Sequence, residues 1–249
     1  MSVNKLLWLG CGDCEGLKYF HSQFDEMLLI DARHLDELAI PENFRGHFQQ
    51  LVVSTKASLS TFKETNIPEL SSLNKVGCFV SNFPGLNVET EREVCTKNVF
   101  DIVHDFFTGA DKKTLILDIP DSQFELLSGL SDKDALKNID EIIVWSVPQN
   151  SEGQETDDSI RFYLENSGFV SYSRNENFSG YDWFHFIHNP LFSDYLELKD
   201  RSSALEDKLK EENKKNKELQ DKYELLKRTG IRLESQIELI QKLMSFDSK

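Results

Sequence analysis

Four short runs of almost uninterrupted apolar residues constrain this chain more than any other feature: LLWL (Leu6–Leu9), MLLI (Met27–Ile30), TLILDI (Thr114–Ile119) and EIIVW (Glu141–Trp145). A strand with one wet face alternates apolar and polar residues. A run that is apolar throughout must be covered on both faces, as in a parallel sheet between layers of helices. Helical patterns lie between the runs: Gly16–Phe24 places Leu17, Phe20 and Phe24 at helical spacing, and a similar stretch covers Phe124–Leu130. One more run, Phe48–Val53, ends on Ser54. Strands alternating with helices predict an α/β domain with a mostly parallel sheet. Its end reads differently. Asp157–Ser167 looks like a helix stopped by Gly168, and Phe169–Ser173 and Trp183–Ile187 pair as an antiparallel hairpin across Asn175–Tyr181. The middle, residues 56–111, is the least patterned; FVSNFPGLNVE reads as strand, loop or both.

From Leu198 onward one glycine remains, proline vanishes, and Lys and Glu dominate. A heptad register places Leu198, Leu205, Glu212, Leu219, Leu226, Leu233 and Ile240 at d, and Ser202, Leu209, Asn216, Tyr223, Gly230, Ile237 and Met244 at a. Ten of these fourteen seam positions are apolar, which predicts a coiled-coil helix of roughly 75 Å. Asn216 can fix register and partner number, and Gly230 is a weak point in a helix interior. The chain therefore divides into an α/β domain over 1–192 and a helix over 193–249. A homo-oligomer through residues 198–244 is expected, most simply a parallel dimer or trimer, with a second coiled-coil protein as the other partner that fits.

Charge narrows the function. Residues 197–249 carry 12 acidic and 13 basic side chains, whereas residues 1–196 carry 31 acidic and 15 basic, so the formal charge of -15 belongs to the α/β part. Such a domain repels phosphate backbones and anionic lipid, which argues against nucleic acid as substrate. No apolar stretch reaches the length of a membrane span. The cysteines Cys11, Cys14, Cys78 and Cys95 have no disulfide-framework spacing, which fits a reducing cytoplasm.

The chemistry-bearing constellation is LWLGCGDCEG, in which the first strand runs into Gly10, Cys11 and Gly12 ahead of a helix. Glycines there let a backbone approach a ligand and leave helix-start N–H groups free for it. Asp31 closes the next strand nineteen residues after Gly12, where a carboxylate can accept hydrogen bonds from both ribose hydroxyls of a nucleoside. A plainer reading uses the same residues: a tight strand–helix turn, with Asp31 capping a helix that starts near His34. Cys11 and Cys14 form a C-x-x-C, open to redox or zinc chemistry but better suited to filling a glycine turn with small side chains; no metal site is expected, for want of a second ligand pair. His185 and His188, three apart on a strand, fit partly buried aromatic-strand positions better than shared ligation.

These residues resemble the FkbM-like branch of the S-adenosylmethionine-dependent methyltransferases, in its surface-polysaccharide-associated part. The likeness runs through KLLWLGCG with LLID, SSLNK (Ser71–Lys75), FPGLNVE (Phe83–Glu89), TLILDIPDSQFELLSGL, DEIIVW and YDWFHFIHNP. It covers about Lys5–Pro190 and leaves the heptads outside. The resemblance implies a Rossmann-like class I methyltransferase sheet closed by a terminal antiparallel hairpin. It further implies S-adenosylmethionine held at Gly10, Cys11, Gly12 and Asp31, a sugar or small hydroxyl acceptor, and Asp118 on the substrate side as the candidate catalytic residue. An Asp ending a buried strand also serves as a helix cap. Trp8 replaces the family's acid two positions before the first glycine, and Cys14 replaces the glycine after Gly12. The family's glycine and acid in the fourth strand motif are replaced around Asp121, Ser122 and Gln123.

Overall fold

The apolar runs form the centre of a seven-stranded sheet. A computed structural model describes residues 2–12, 14, 16–20, 22–33, 44, 46–74, 83–119, 122–145, 157–178 and 181–246. Strands β1 (Asn4–Leu9), β2 (Glu26–Asp31), β3 (Gly46–Gln50), β7 (Lys112–Leu117) and β8 (Glu141–Trp145) are mutually parallel. The spatial order is β3-β2-β1-β7-β8-β10-β9, where β9 (Phe169–Phe178) and β10 (Tyr181–His188) make the closing hairpin. β10 runs antiparallel to both neighbours. A parallel sheet sealed by this hairpin is the Rossmann-like class I methyltransferase architecture.

Alternation along each strand sends side chains to two cores. Leu7, Leu9, Leu28, Ile30, Leu115, Leu117, Ile142 and Val144 pack on one face, beneath α2 (Val99–Phe107), α3 (Gln123–Ser131) and α4 (Asp157–Asn166). Leu6, Trp8, Met27, Leu29, Ile116 and Trp145 pack on the other with Cys11, Cys14 and Leu17. Both faces are dry, which is why the runs show no polar alternation. Asn98 caps α2 by accepting from Phe100 N–H at 2.9 Å, and Val99, Val103 and Phe107 recur at helical spacing on its buried side. Gly168, at φ 96°, ends the turn after α4 as expected.

Three expectations need correction. The helix over Gly16–Phe24 shrinks to a single turn, α1 (Leu17–Phe20). The chain must come back to the start of β2, and Asp25 N–H already donates to Asn4 carbonyl at 2.9 Å. The run Phe48–Val53 is two strands in two sheets. β3 ends at Gln50, Leu51 N–H donates to Asp31 carbonyl at 2.9 Å, and β4 (Val52–Ser54) joins β5 (Leu59–Thr65) and β6 (Val88–Asn98) in a second sheet ordered β4-β6-β5. Of FVSNFPGLNVE, the described part is a turn at Gly85 (φ 101°) leading into β6; residues 79–82, and the helix expected near His34, lie outside the described residues. The closing hairpin also has longer strands than the sequence suggests, with most of Asn175–Tyr181 extended.

The chain divides into two units, Met1–Pro190 and Leu191–Lys249. The second is one helix, α5 (Phe192–Phe246), of 55 residues. Its seam residues Leu198, Leu205, Leu209, Leu219, Tyr223, Leu226, Leu233, Ile237 and Ile240 are each more than half exposed. Among the described residues no helix is long and apolar enough to cross a membrane.

Candidate functional site

The strand order reverses at β1, which lies between β2 and β7. In open α/β sheets, the crevice beyond the carboxyl ends of the strands at such a reversal is where ligands bind. A cleft occupies that place. Its wall includes Gly10 and Gly12 after β1, Asp31 and Arg33 after β2, and Asp118, Ile119 and Ser122 after β7. The opposite wall comes from Val52–Val53, Phe62, Pro68 and Ser71–Leu73.

Backbone latches shape the turn after β1. Gly10 N–H and Cys11 N–H both donate to Ile30 carbonyl, at 2.8 and 3.3 Å, and Asp118 N–H donates to Leu9 carbonyl at 2.8 Å. Gly10 sits at φ 79°, and a Cβ there would lie 2.2 Å from Asp118 carbonyl oxygen. Only glycine fits between these strands. Gly12, at φ 59°, donates its N–H to Asp31 Oδ2 at 2.8 Å. Asp31 Oδ1 accepts from Arg33 N–H at 2.9 Å and Arg33 Nε at 3.0 Å, and Oδ2 accepts from Arg33 Nη2 at 3.4 Å. The carboxylate is buried, 7% exposed.

The sequence therefore placed Gly10, Gly12, Asp31 and Asp118 on elements that converge, and all four line one cleft. Cys11 stands apart: it is buried in the core beside Trp8 and Leu17 and is absent from the cleft wall. Its hydrogen bond with Cys14, and then burial, push the Cys11 thiol far up from its ordinary value. A thiol so disposed is a packing residue rather than a nucleophile. The N–H groups of Gly10, Cys11, Gly12 and Cys14 are all spent within the chain. Of the free helix-start donors expected, these described ones are already bonded, and α1 has only one turn. Among the described residues no three His, Cys, Asp or Glu side chains gather as a metal would require.

Sequence reasoning missed Arg33 and the whole opposite wall. Arg33 had a signal, a cation two residues beyond the strand-ending acid. Phe62 and Pro68 had none, because the second sheet, whose strand β5 carries Phe62 and leads to Pro68, was not legible; Ser71 and Ser72 stood in the SSLNK likeness, with no sign that they face the cleft. The cleft has a cavity volume of ≈ 90 Å³. A cavity of about 150 Å³ is what admits benzene. Arg33 lines the cleft beside Gly12, its Nη2 3.0 Å from where a Gly12 Cβ would be.

No protein-family model matches the chain, and no curated protein does. Two solved structures share its outline. Magnesium protoporphyrin IX methyltransferase of Synechocystis PCC 6803, with bound SAM, is 9% identical over 76% of this chain and 71% of that one, with a TM-score of 0.36. The 1,6-didemethyltoxoflavin-N1-methyltransferase of Burkholderia thailandensis, with bound 1,6-didemethyltoxoflavin and S-adenosylhomocysteine, is 12% identical over 76% and 72%, with a TM-score of 0.38. At these values the likeness carries no argument about ligand or activity; the fold assignment stands on strand order and direction.

Proposed function

We propose that this chain is an S-adenosylmethionine-dependent methyltransferase-like protein whose cleft beyond β1, β2 and β7 takes the nucleoside of the cofactor. The observation that carries the reading is the Asp31 carboxylate, set in the cleft wall at the end of β2 and braced by Gly12 N–H. A carboxylate has about four lone-pair sites. Gly12 N–H and Arg33 N–H take two, and the Arg33 guanidinium takes the others. Two ribose hydroxyls can replace the guanidinium one for one, and its withdrawal frees the space it takes in the cleft wall. Asp31 and the Gly10–Gly12 turn are thus the residues that would hold the cofactor, which when bound supplies an activated methyl group. Asp118, on the same wall, is the residue assigned to receive the proton of a hydroxyl acceptor. A sugar or small hydroxyl acceptor in surface polysaccharide biosynthesis follows from the motif resemblance of residues 5–190, and cytoplasmic placement from the unpaired spacing of the cysteines.

A second reading, a catalytically inactive scaffold organising a polysaccharide-assembly complex, draws on one observation: the Asp31 carboxylate already accepts from Gly12 N–H and from Arg33, and the N–H groups of Gly10 and Cys11 already donate to Ile30 carbonyl. Calorimetry with S-adenosylhomocysteine on the full chain separates the two. Micromolar binding, lost at least tenfold in Asp31→Ala with the fold retained by circular dichroism, is the expected result. Absence of binding at millimolar ligand would sink the enzyme reading and leave the scaffold.

A further inference from the structure

The apolar stripe of α5 calls for a partner, and the order of its residues says which. We propose that α5 pairs with α5 of a second copy, antiparallel, with the dyad between Lys217 and Glu218. This inference is independent of what the cleft binds.

In an antiparallel pair each a residue packs in a layer with a d residue of the other helix. With the dyad placed there, the two helices overlap along almost their whole length, and the poor layers become complementary. Gly230 meets the partner's Leu205, and Ser202 meets the partner's Leu233, so each small residue faces a large one. Glu212 meets the partner's Tyr223, whose hydroxyl can donate to the carboxylate. Leu209 meets Leu226, and Leu198 meets Ile237. The two Asn216 residues stand in the adjacent central layers on the same edge of the seam, one from each helix, where their amides can pair across the dyad.

A parallel, in-register pair sets every layer against itself. Gly230 on Gly230 and Ser202 on Ser202 leave holes, and Glu212 on Glu212 places like charges in the seam. Of the seam residues that are small or polar, only Asn216 is served equally well. The flanking charges allow a second copy in either direction. Antiparallel, Glu206 faces the partner's Lys227 and Lys199 faces Glu234, against one like-charge contact between Lys215 and Lys222. Parallel, Arg201 faces Glu206 and Asp194 faces Lys199, against Lys222 with Lys227. Flanks thus admit self-association, and the layers choose its direction. All these flanking side chains are exposed along α5.

Light scattering on the full chain at micromolar concentration should give twice the monomer mass, and Leu209→Lys should halve it while the melting of the α/β domain stays unchanged. Direction is read by oxidation of cysteine variants against the parent chain. In S202C/L233C the two positions lie 31 residues apart on one helix, too far for a link within a chain, so a covalent dimer there reports the antiparallel layer, and S202C alone should remain unlinked. A monomer mass for the parent, a trimer or tetramer mass, or ready self-linking of S202C alone would each overturn the proposal.

Discussion

The backbone N–H of Gly12 donates to Asp31 Oδ2 over 2.8 Å, so the turn after β1 and the end of β2 are one unit. The same carboxylate carries the Arg33 guanidinium, whose side chain is 24% exposed against 8% for that of Asp31. One side chain therefore both ties down the turn at Gly12 and holds the Arg33 guanidinium in the cleft wall. Replacing Asp31 with Ala orphans a buried N–H and removes the three bonds that Arg33 makes to that carboxylate. Allowing for Arg33's access to water, the loss should be about 2–3 kcal/mol. Asp31→Asn keeps an acceptor for Gly12 and should cost roughly half as much. Urea titrations of the two variants beside the parent chain measure the difference; equal losses would mean that the Gly12 bond contributes nothing.

Cysteine reactivity should split by burial. Cys11 and Cys14 are free and buried, and Cys95 is free and exposed. With the Cys11 thiol held protonated, alkylation followed by mass spectrometry should label Cys95 within minutes. Cys11 and Cys14 should be labelled only as the chain unfolds in denaturant. Early labelling of Cys11 would restore the redox interpretation of the C-x-x-C.

The sheet was legible because strands buried on both faces cannot hide their composition: Leu6–Leu9, Met27–Ile30 and Leu115–Leu117 admit no polar alternation. Leu51 shows where that logic stops. Nothing in an apolar run marks the residue at which hydrogen bonding passes from one sheet to another. β6 was lost for a related reason, since VETEREVCTKN buries only Val94 and Thr96. Its pattern is that of an exposed, charged segment. At the site, Gly10, Gly12 and Asp31 were readable because each answers to backbone geometry at a strand end. That Gly12 N–H would be spent on Asp31 was not, because residue types do not show where a turn's N–H points.

His185 supplies a pH dependence. It is half-buried on β10, its Nε2 lies 3.9 Å from Glu141 Oε2, and Tyr172 packs edge-on to its ring at 5.5 Å. Burial lowers its pKa below the ordinary 6.5, with Glu141 opposing and Lys112 assisting the shift. The unfolded chain then binds a proton more readily than the folded one. Stability from the neutral ring is complete above the unfolded value and is lost as pH falls from there toward the folded value. Urea midpoints of the parent and His185→Gln, compared from pH 7.5 down to about 5, should show the parent losing more. Parallel curves would mean that the ring titrates alike in both states.

Gly10 and Gly109 separate strain from collision. Both have positive φ, 79° and 74°, but a Cβ on Gly10 would strike Asp118 carbonyl oxygen at 2.2 Å and Ile119 Cγ1 at 2.7 Å, whereas one on Gly109 meets nothing within 4 Å. Gly109→Ala therefore costs only the left-handed conformation, about 1 kcal/mol. Gly10→Ala adds the displacement of β7 from β1 at the mouth of the cleft, for a total of about 3 kcal/mol or more. Because the atom struck belongs to the backbone of Asp118, a rotamer change cannot relieve it, and the cleft must widen between β1 and β7. Chemical denaturation should rank the variants in that order. Gly10→Ala should also weaken S-adenosylhomocysteine binding under conditions where it remains folded, while Gly109→Ala leaves it alone. Equal stability losses would show that β7 yields to the methyl group and that the close approach of these strands is not what demands glycine.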